Sequence, residues 1–361
     1  MLMKKNPAGR ALATFALTCA VVPAAFGAEQ SHAQAGKAPL FLTETNGSPN
    51  YLAVVNTVTK ETDYVPTGGN GGVAQGSNAG GVAVSGELAA AINFGSLTVS
   101  IFERQGNAMQ PIQTIKTTSQ PVSVTFGHGH LVVLGTTTAE SFPLYGNTVG
   151  ANDGIAQLQI GDGSSAQIIT YSGGAIYSEK TGSIGLLNLS TEGAPGISGP
   201  SVPVTLPAAP NNNTPFGMVA DGANVYASIA HSDLETLIVN GQIISSAVGP
   251  TPFTNPQGAI THAPCWNALS GHFLFSADSP GLQLLRYLVS DRNVFLDKVA
   301  VATLTGAPTD LDIQNNLLGV IDGGSAGISD VTLFDVSSEG ELTMRFTLKI
   351  AGPINGAAII Q

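Results

Sequence analysis

Positive charge is scarce in this sequence, and its scarcity weighs against two classes of ligand. The 361 residues include 13 Lys and Arg against 24 Asp and Glu, a formal net charge of −11. A nucleic-acid-binding surface needs a stripe of basic side chains to neutralise phosphates, and the sequence has none. The same shortage weighs against a phosphorylated small molecule. Apolar residues make up 43% of the chain, and long runs of like charge are missing, so a disordered protein is not expected.

Cysteine and long hydrophobic runs are also nearly absent. The two cysteines are Cys19 and Cys265, and Cys19 lies in an N-terminal segment with a basic start and an apolar stretch too short to span a bilayer. Such a segment is typical of a bacterial secretory signal. We expect a signal peptide over residues 1–28, with cleavage between 27 and 35, followed by one domain over 38–361. The mature chain would be extracytoplasmic, periplasmic or secreted, without a membrane span or an internal disulfide.

Glycine, in contrast, is abundant, with 44 residues, and it accompanies a degenerate repeat. Segments that lead through a short polar or glycine step into an apolar strand recur at intervals of roughly 40 to 50 residues, the length of a four-stranded propeller blade. Two of them open at Gly80-Gly81 and at Ser165, and the other five open at Pro121, Pro215, Pro256, Pro308 and Pro353. The repeat predicts an all-β fold, a seven-bladed β-propeller, with six blades as the alternative count.

The turns and the chain ends support the same prediction. An X-Gly pair recurs between the third and fourth strands of a repeat and supplies the positive φ of a tight hairpin, at Gln105-Gly106, Glu192-Gly193, Asn240-Gly241 and Glu339-Gly340. The first repeat has only three predicted strands, and the apolar segment 354–360 supplies the missing one. Strands from both termini would therefore close the ring, which leaves no open sheet edge between the first blade and the last.

These segments resemble the lactonase-type propeller family, which includes 6-phosphogluconolactonases and carboxymuconate-lactonising enzymes. The resemblance is carried by the Pro-led first strands and by the segments 217–228 and 336–343. It implies seven blades and a site at the mouth of the central channel. Family members often open a blade with Pro-Arg-His and end the next strand with Asn-Glu. Here the nearest blade opens with Pro215-Phe216-Gly217, and His231 stands in place of the carboxylate.

Propeller topology predicts which polar residues can meet. First strands begin on the face where second strands end, so this face, called here the mouth face, collects polar residues from most blades. Its predicted residues are Glu44, Asn46, Asn93, Glu179, Lys180, His231, Asp233, Asp278, Asp310, Asp322 and Asn355.

Three of these residues are the candidates for catalysis. His231 has the chemistry of a general base near neutral pH, and its alternative is a solvated loop histidine. Asp310 lies near the start of a first strand, where burial could raise its pKa, and its alternative is an acceptor of backbone N–H groups. Glu179 is followed by Lys180, a cation that could hold a substrate carboxylate, unless the two form an exposed turn pair.

The remaining predictions concern binding and access. Asn93 and Asn355 are expected to polarise a carbonyl as neutral donors, and the other predicted substrate-binding residues are Lys180, Asp278, Asp322 and Glu44. Two insertions, 67–80 and 138–153, are predicted to be mouth-face loops that could cover the channel. The residues predicted to lie on the opposite face are His128, His130, His262, His272 and Cys265.

Two functions remain open at this stage. The first is a secreted lactonase-like hydrolase or related cycloisomerase that acts without a cofactor on a small unphosphorylated lactone or related organic acid. Ca²⁺ held by mouth-face carboxylates is a weaker alternative, because EF-hand spacing is missing. The second function is a non-catalytic propeller that binds a protein, glycan or surface component. Convergence of His231, Asp310 and Glu179 in one pocket would favour the enzyme, and their separation would favour the binder.

Overall fold

Short apolar runs between glycine turns form β-strands throughout the described part of the chain. The computed structural model describes residues 37–72, 78–190, 195–206, 214–250, 262–323 and 327–361. The compact unit Lys37–Gln361 contains all of them. The predicted signal peptide and its cleavage sites lie outside the described residues, so the leader stays a prediction.

Seven antiparallel sheets form the blades. In blades 2 to 7 the first strand in chain order is the inner one, and these inner strands contact those of the neighbouring blades. The first three blades in chain order contain β1 (Leu40–Glu44), β2 (Tyr51–Asn56) and β3 (Thr62–Pro66); β4 (Val82–Ser85), β5 (Leu88–Asn93), β6 (Thr98–Gln105) and β7 (Ala108–Lys116); and β8 (Pro121–Gly127), β9 (His130–Gly135), β10 (Thr138–Tyr145), β11 (Thr148–Val149) and β12 (Gly154–Gln157).

Blades 4 and 5 contain β13 (Ser165–Tyr171), β14 (Gly174–Glu179), β15 (Ser183–Asn188) and β16 (Ser198–Pro203); and β17 (Pro215–Asp221), β18 (Asn224–Ile229), β19 (Leu234–Val239) and β20 (Gln242–Val248). Blades 6 and 7 contain β21 (Pro264–Ser270), β22 (Phe273–Asp278), β23 (Gln283–Val289) and β24 (Val294–Thr303); and β25 (Ala307–Gln314), β26 (Leu317–Gly323), β27 (Ile328–Val336) and β28 (Leu342–Ala351). The last strand, β29 (Asn355–Ile360), is the inner strand of blade 1. Two 3-10 helices, Phe94–Ser96 and Ala230–Ser232, follow β5 and β18.

The ring closes with strands from both ends of the domain, as predicted. β29 pairs antiparallel with β1, with Leu40 opposite Ile360. The buried Arg104 of blade 2 secures this closure, because its guanidinium donates to the carbonyl oxygens of Ile360 and Ala38. One of the few cations of the chain therefore holds the seam between the two termini. The seven-bladed all-β prediction is confirmed.

The repeat was read correctly in most blades, with two exceptions. The insertion 138–153 is not a mouth-face loop, since β10 begins at Thr138 as the third strand of blade 3 and pairs with β9 and with β12. Pro143 within β10 made this run look unlike a strand. In blade 6 the inner strand begins at Pro264 rather than near Pro256, which lies outside the described residues. This shift places His262 and Cys265 near the mouth face, where the sequence analysis did not expect them.

Candidate functional site

Side chains at the ends of second strands form hydrogen bonds with the segment that precedes the first strand of the same blade. Glu179, at the end of β14, accepts the backbone N–H groups of Ile160 and Gly161 at 3.1 and 2.7 Å. Asp322 in blade 7 accepts that of Thr305 at 3.2 Å. Both acidic side chains are fully buried, and burial is the main cause that raises the pKa of each. These predicted site residues are thus engaged by the backbone of their own blades.

Asn93 and Glu44 occupy the corresponding position in blades 2 and 1. The Asn93 side chain accepts from Thr67 Oγ1 at 2.6 Å, and so anchors the connection into blade 2. Glu44 accepts from Asn50 Nδ2 at 2.9 Å and from Asn355 Nδ2 at 3.1 Å. Burial raises the pKa of Glu44 to about 8, although these two amide donors oppose the rise.

The three predicted catalytic residues are not brought together. His231 is exposed in the 3-10 helix after β18, and its Nδ1 lies 2.8 Å from Thr214 Oγ1. Glu179 is buried in blade 4, and Asp310 belongs to the inner strand of blade 7. Lys180 is half-buried, with Nζ 5.8 Å from the centre of the Phe216 ring, and burial lowers the pKa of its amine to about 8.

Residues 78–81 enter the mouth of the channel and bond to five blades, their own blade 2 included, since the Ile92 N–H donates to the Gly81 carbonyl oxygen at 3.1 Å. The Asn78 amide donates to Val122 O of blade 3, and the Ala79 N–H donates to Ala166 O of blade 4 at 3.1 Å. Trp266 Nε1 of blade 6 donates to the Asn78 carbonyl oxygen at 3.1 Å. This part of the predicted covering segment 67–80 therefore lies on the channel axis, and residues 73–77 are outside the described part.

Asp310 supports the same segment from blade 7. Its Oδ2 accepts the backbone N–H groups of Gly80 and Ala357, each at 3.1 Å, and its Oδ1 accepts that of Leu311 at 2.9 Å. Burial raises the pKa of Asp310 to about 7, against the lowering effect of these three donors. The carboxyl thus joins the axial segment, the inner strand of blade 7 and the inner strand of blade 1.

A cavity of about 260 Å³ lies on the mouth face between blades 7 and 1. Two buried side-chain atoms of its lining residues have no hydrogen-bond partner within the described ranges, the donor Nδ2 of Asn46 and the acceptor Oδ1 of Asn78. Asn355, a predicted substrate-binding residue, also lines it, together with Thr309 and Ser329. The described residues that line this cavity are all uncharged; they are Asn46, Asn78, Thr309, Gly323, Gly327, Ile328, Ser329, Gly352, Pro353, Ile354 and Asn355.

The channel interior lies beneath the axial segment. A cavity of about 230 Å³ there is lined by inner-strand residues of all seven blades, among them Gln167, Asp310 and Asp312. A second cavity of about 430 Å³, on the opposite face, shares Asp312 and Asn267 with it. The channel interior is therefore approached from the opposite face, while residues 78–81 and Trp266 occupy its mouth end.

The mouth face also carries a histidine–carboxylate pair in blade 6. His262 Nδ1 lies 2.7 Å from Oδ2 of Asp278, and Asp278 is fully buried at the end of β22. Sequence reasoning missed His262 because the start of blade 6 was misplaced, and it missed Asn78 because no pattern in the sequence shows that a glycine-rich connection enters the channel. The Asn78-Ala-Gly-Gly step, which ends in two glycines, is the signal that could have pointed to this close approach.

Over the described ranges, no group of three or more His, Cys, Asp or Glu side chains is arranged to hold a metal ion. No helix within those ranges is both long enough and apolar enough to cross a bilayer.

No protein-family model matches this sequence, and no curated protein does. Solved structures do match its fold. A periplasmic gluconolactonase from Pseudomonas aeruginosa is 13% identical, with a TM-score of 0.66 over 90% of this chain and 99% of that one. A protein from Lactobacillus plantarum is 14% identical, with a TM-score of 0.64 over the same shares. A candidate 6-phosphogluconolactonase from Bacteroides fragilis is 14% identical, with a TM-score of 0.61 over 90% and 98%.

These similarities extend over almost the whole length of each matched structure at very low identity, so they show a shared fold and not a shared reaction. The chain thus has a seven-bladed propeller fold similar to that of these structures.

Proposed function

We propose that the protein hydrolyses a small, uncharged lactone in the mouth cavity between blades 7 and 1. The observation that carries the proposal is the pair of unpartnered amide atoms, Asn46 Nδ2 and Asn78 Oδ1, among otherwise neutral lining residues. Buried polar atoms without partners cost free energy, so such a pair favours a ligand that supplies an acceptor and a donor. We also propose that the protein works outside the cytoplasm, on the basis of its N-terminal segment.

The chemistry of the cavity favours an uncharged, hydroxyl-bearing ester over a phosphorylated one. Asn46 Nδ2 can donate to a carbonyl oxygen, and Asn78 Oδ1 can accept from a ligand hydroxyl. A phosphate would need cationic or clustered N–H donors, and the described lining residues of the cavity include no Lys, Arg or His. The volume of about 260 Å³ suits a single small ring.

Asn78→Leu is expected to raise KM for a sugar lactone about 10-fold, because the ligand loses one buried hydrogen bond. The free energy of unfolding should change by less than about 1 kcal/mol, since the lost bond to Val122 is offset by the removal of an unpartnered oxygen. Lactone hydrolysis followed with a pH indicator measures the first quantity, and urea unfolding measures the second.

Asn46→Asp tests the donor with little change in shape. Asn46 has φ 56°, a conformation that Asp also tolerates, and the substitution replaces the Nδ2 donor by a carboxylate oxygen. The matched control is Asn240→Asp, at φ 49° in an exposed hairpin on the opposite face. Asn46→Asp should raise KM while the control leaves it unchanged. Equal kinetics in Asn46→Asp, Asn78→Leu and the wild type would refute the cavity as the site.

A non-catalytic binding propeller is the second candidate function. It is favoured by the separation of His231, Asp310 and Glu179, and by the residues that occupy the mouth end of the channel. The same lactone measurements separate the two functions. Saturable binding of the lactone without turnover would support a binding module that uses this cavity.

A further inference from the structure

A second cluster of polar groups lies between blades 5 and 6 on the mouth face. Asp278 is fixed by the backbone N–H groups of Ala263 and Gly281, at 2.9 and 3.2 Å, and by Gln283 Nε2 at 2.8 Å. Because its Oδ2 also faces His262 Nδ1 at 2.7 Å, Nδ1 carries the proton of a neutral imidazole. The lone pair of the ring is then on Nε2.

The Nε2 atom of His262 is free to act on a ligand. The imidazole is 19% exposed, and Nε2 has no hydrogen bond to the part of the chain that the structure describes. A histidine with one nitrogen held by a buried carboxylate and the other open is the arrangement of a general base.

A third group faces the pair from blade 5. Asp233 is 2% exposed, and neither of its carboxyl oxygens has a hydrogen-bond partner in the part of the chain that the structure describes. Burial, the largest cause, raises the pKa of Asp233 to about 7; His262 opposes the rise and Asp278 adds to it. Tyr287 of blade 6 adds a buried hydroxyl without a partner among the described residues, and its pKa is raised well above the usual range by burial and by nearby carboxyls.

The histidine is not needed to hold blade 6 together. At the same position in blade 4, Glu179 reaches backbone N–H groups, and in blade 7 Asp322 reaches the N–H and hydroxyl of Thr305. In blade 6 the N–H groups of Ala263 and Gly281 already supply such contacts. The Asp278 carboxylate therefore has its backbone partners without His262, and the histidine is an additional side chain at this position.

We propose that His262, oriented by Asp278, is a general base that activates water to hydrolyse an uncharged ester or lactone. Nε2 takes a proton from water as the water oxygen bonds to the carbonyl carbon. The C–O bond to the leaving oxygen then breaks, and the imidazolium returns the proton to that oxygen. A lactone and one water give one hydroxy acid, and the imidazole is restored.

For a lactone substrate this inference rests on the proposed reaction but places it at His262, which is not among the described residues that line the mouth cavity. For an ester it does not rest on the proposed function. Neither Asp278 nor Asp233 touches the reacting atoms. Asp278 is a positioning residue that fixes the tautomer of His262.

His262→Gln is expected to lower kcat about 100-fold for p-nitrophenyl acetate and for δ-gluconolactone, the size of effect that a general base supplies. The full mature protein is used, and kcat is followed from pH 5 to 9. The pH dependence of the wild-type rate should vanish in the variant. His272→Gln is the matched control, because His272 is exposed near the β21–β22 hairpin on the opposite face.

Asp278→Asn tests the positioning role. An Asn oxygen can still accept from Ala263 and Gly281, but its NH₂ group would donate to Nδ1 and move the ring proton to Nε2. The base is then lost in a folded protein, so kcat should fall as far as in His262→Gln while the thermal unfolding curve stays cooperative. Restored activity in Asp278→Glu would support orientation by the carboxylate.

The outcomes separate the two proposals. Lactone turnover that depends on Asn78 but not on His262 overturns the general-base proposal and leaves the mouth cavity as the site. Ester hydrolysis that depends on His262, without any lactone turnover, supports His262 as a general base and overturns the proposal that a lactone is the substrate. Equal ester hydrolysis by the wild type, His262→Gln and His272→Gln overturns the base.

Discussion

The free energy of unfolding is expected to fall as the pH rises from 5 to 9. Burial raises the pKa of Glu44 and Glu235 to about 8 and that of Asp310 to about 7. An unfolded carboxyl titrates near 4, so between pH 4 and the folded pKa the folded chain holds protons that the unfolded chain has lost. The stabilisation is complete below the unfolded pKa and is lost as the pH rises through the folded one. Each pKa unit of difference corresponds to about 1.4 kcal/mol.

Glu235 shows structurally why the proton is retained. Ser228 Oγ lies 2.8 Å from Glu235 Oε2 and 3.1 Å from Asn267 Oδ1, and a hydroxyl has only one proton for these two acceptors. A protonated Glu235 resolves the conflict, because Oε2–H donates to Ser228 and Ser228 donates to Asn267. Asn267 Nδ2 completes the network by donating to Oε1 at 2.8 Å.

Glu235→Gln should therefore leave stability nearly unchanged at pH 5 and raise the free energy of unfolding by several kcal/mol at pH 9, because the wild type must give up this proton as the pH rises. The amide reproduces the donor and the acceptor of the neutral acid without its titration. Urea unfolding at pH 5, 7 and 9 measures the effect, with the exposed Glu61→Gln as control. A variant that is destabilised at every pH would show that Glu235 is ionised in the folded protein.

Replacement of Asp310 by alanine is expected to lower the free energy of unfolding by about 3 kcal/mol. The buried N–H groups of Gly80, Leu311 and Ala357 would lose their acceptor, and an unsatisfied buried donor costs about 1 to 3 kcal/mol. Asp310→Asn keeps one carbonyl oxygen for Gly80 and Ala357, so the loss should be about 1 kcal/mol.

Comparison of Asp310→Ala with Asp310→Asn shows whether the Asp310 carboxyl supports the fold or takes part in catalysis. The exposed Asp291→Ala serves as the control for charge. Lactone hydrolysis should survive in Asp310→Asn, because the Asp310 carboxyl accepts backbone N–H groups of the fold and does not act on the substrate. A stable Asp310→Ala protein that has lost all turnover would instead establish the catalytic role predicted from the sequence.

The fold was predictable because its signals are local. The X-Gly pairs at Gln105-Gly106 and Asn240-Gly241 adopt the positive φ values that the hairpins require. The C-terminal segment completes blade 1 with Leu40 opposite Ile360, as the missing strand implied. Blade 3 was misread because Pro143 lies inside a strand, which local propensity disfavours.

The site was only partly predictable, since it depends on which way side chains point and what they meet. The sequence correctly placed Glu44, Asn93 and Asp322 at the ends of second strands, but it could not show that their partners belong to the fold. Whether a carboxylate faces a substrate or a backbone N–H depends on the path of the segments between blades, and the sequence of these segments shows no motif that reveals the path. The roles of His231 and Glu179 in catalysis stay predictions.

The most direct test of the account compares δ-gluconolactone with its 6-phosphorylated form as substrates of the mature protein. The neutral lining of the mouth cavity and the shortage of Lys and Arg predict a kcat/KM at least about 100-fold higher for the unphosphorylated lactone, since a phosphate buried without a cationic partner costs several kcal/mol. Equal turnover of both lactones, or a preference for the phosphorylated one, would contradict the neutral mouth cavity as the site of reaction.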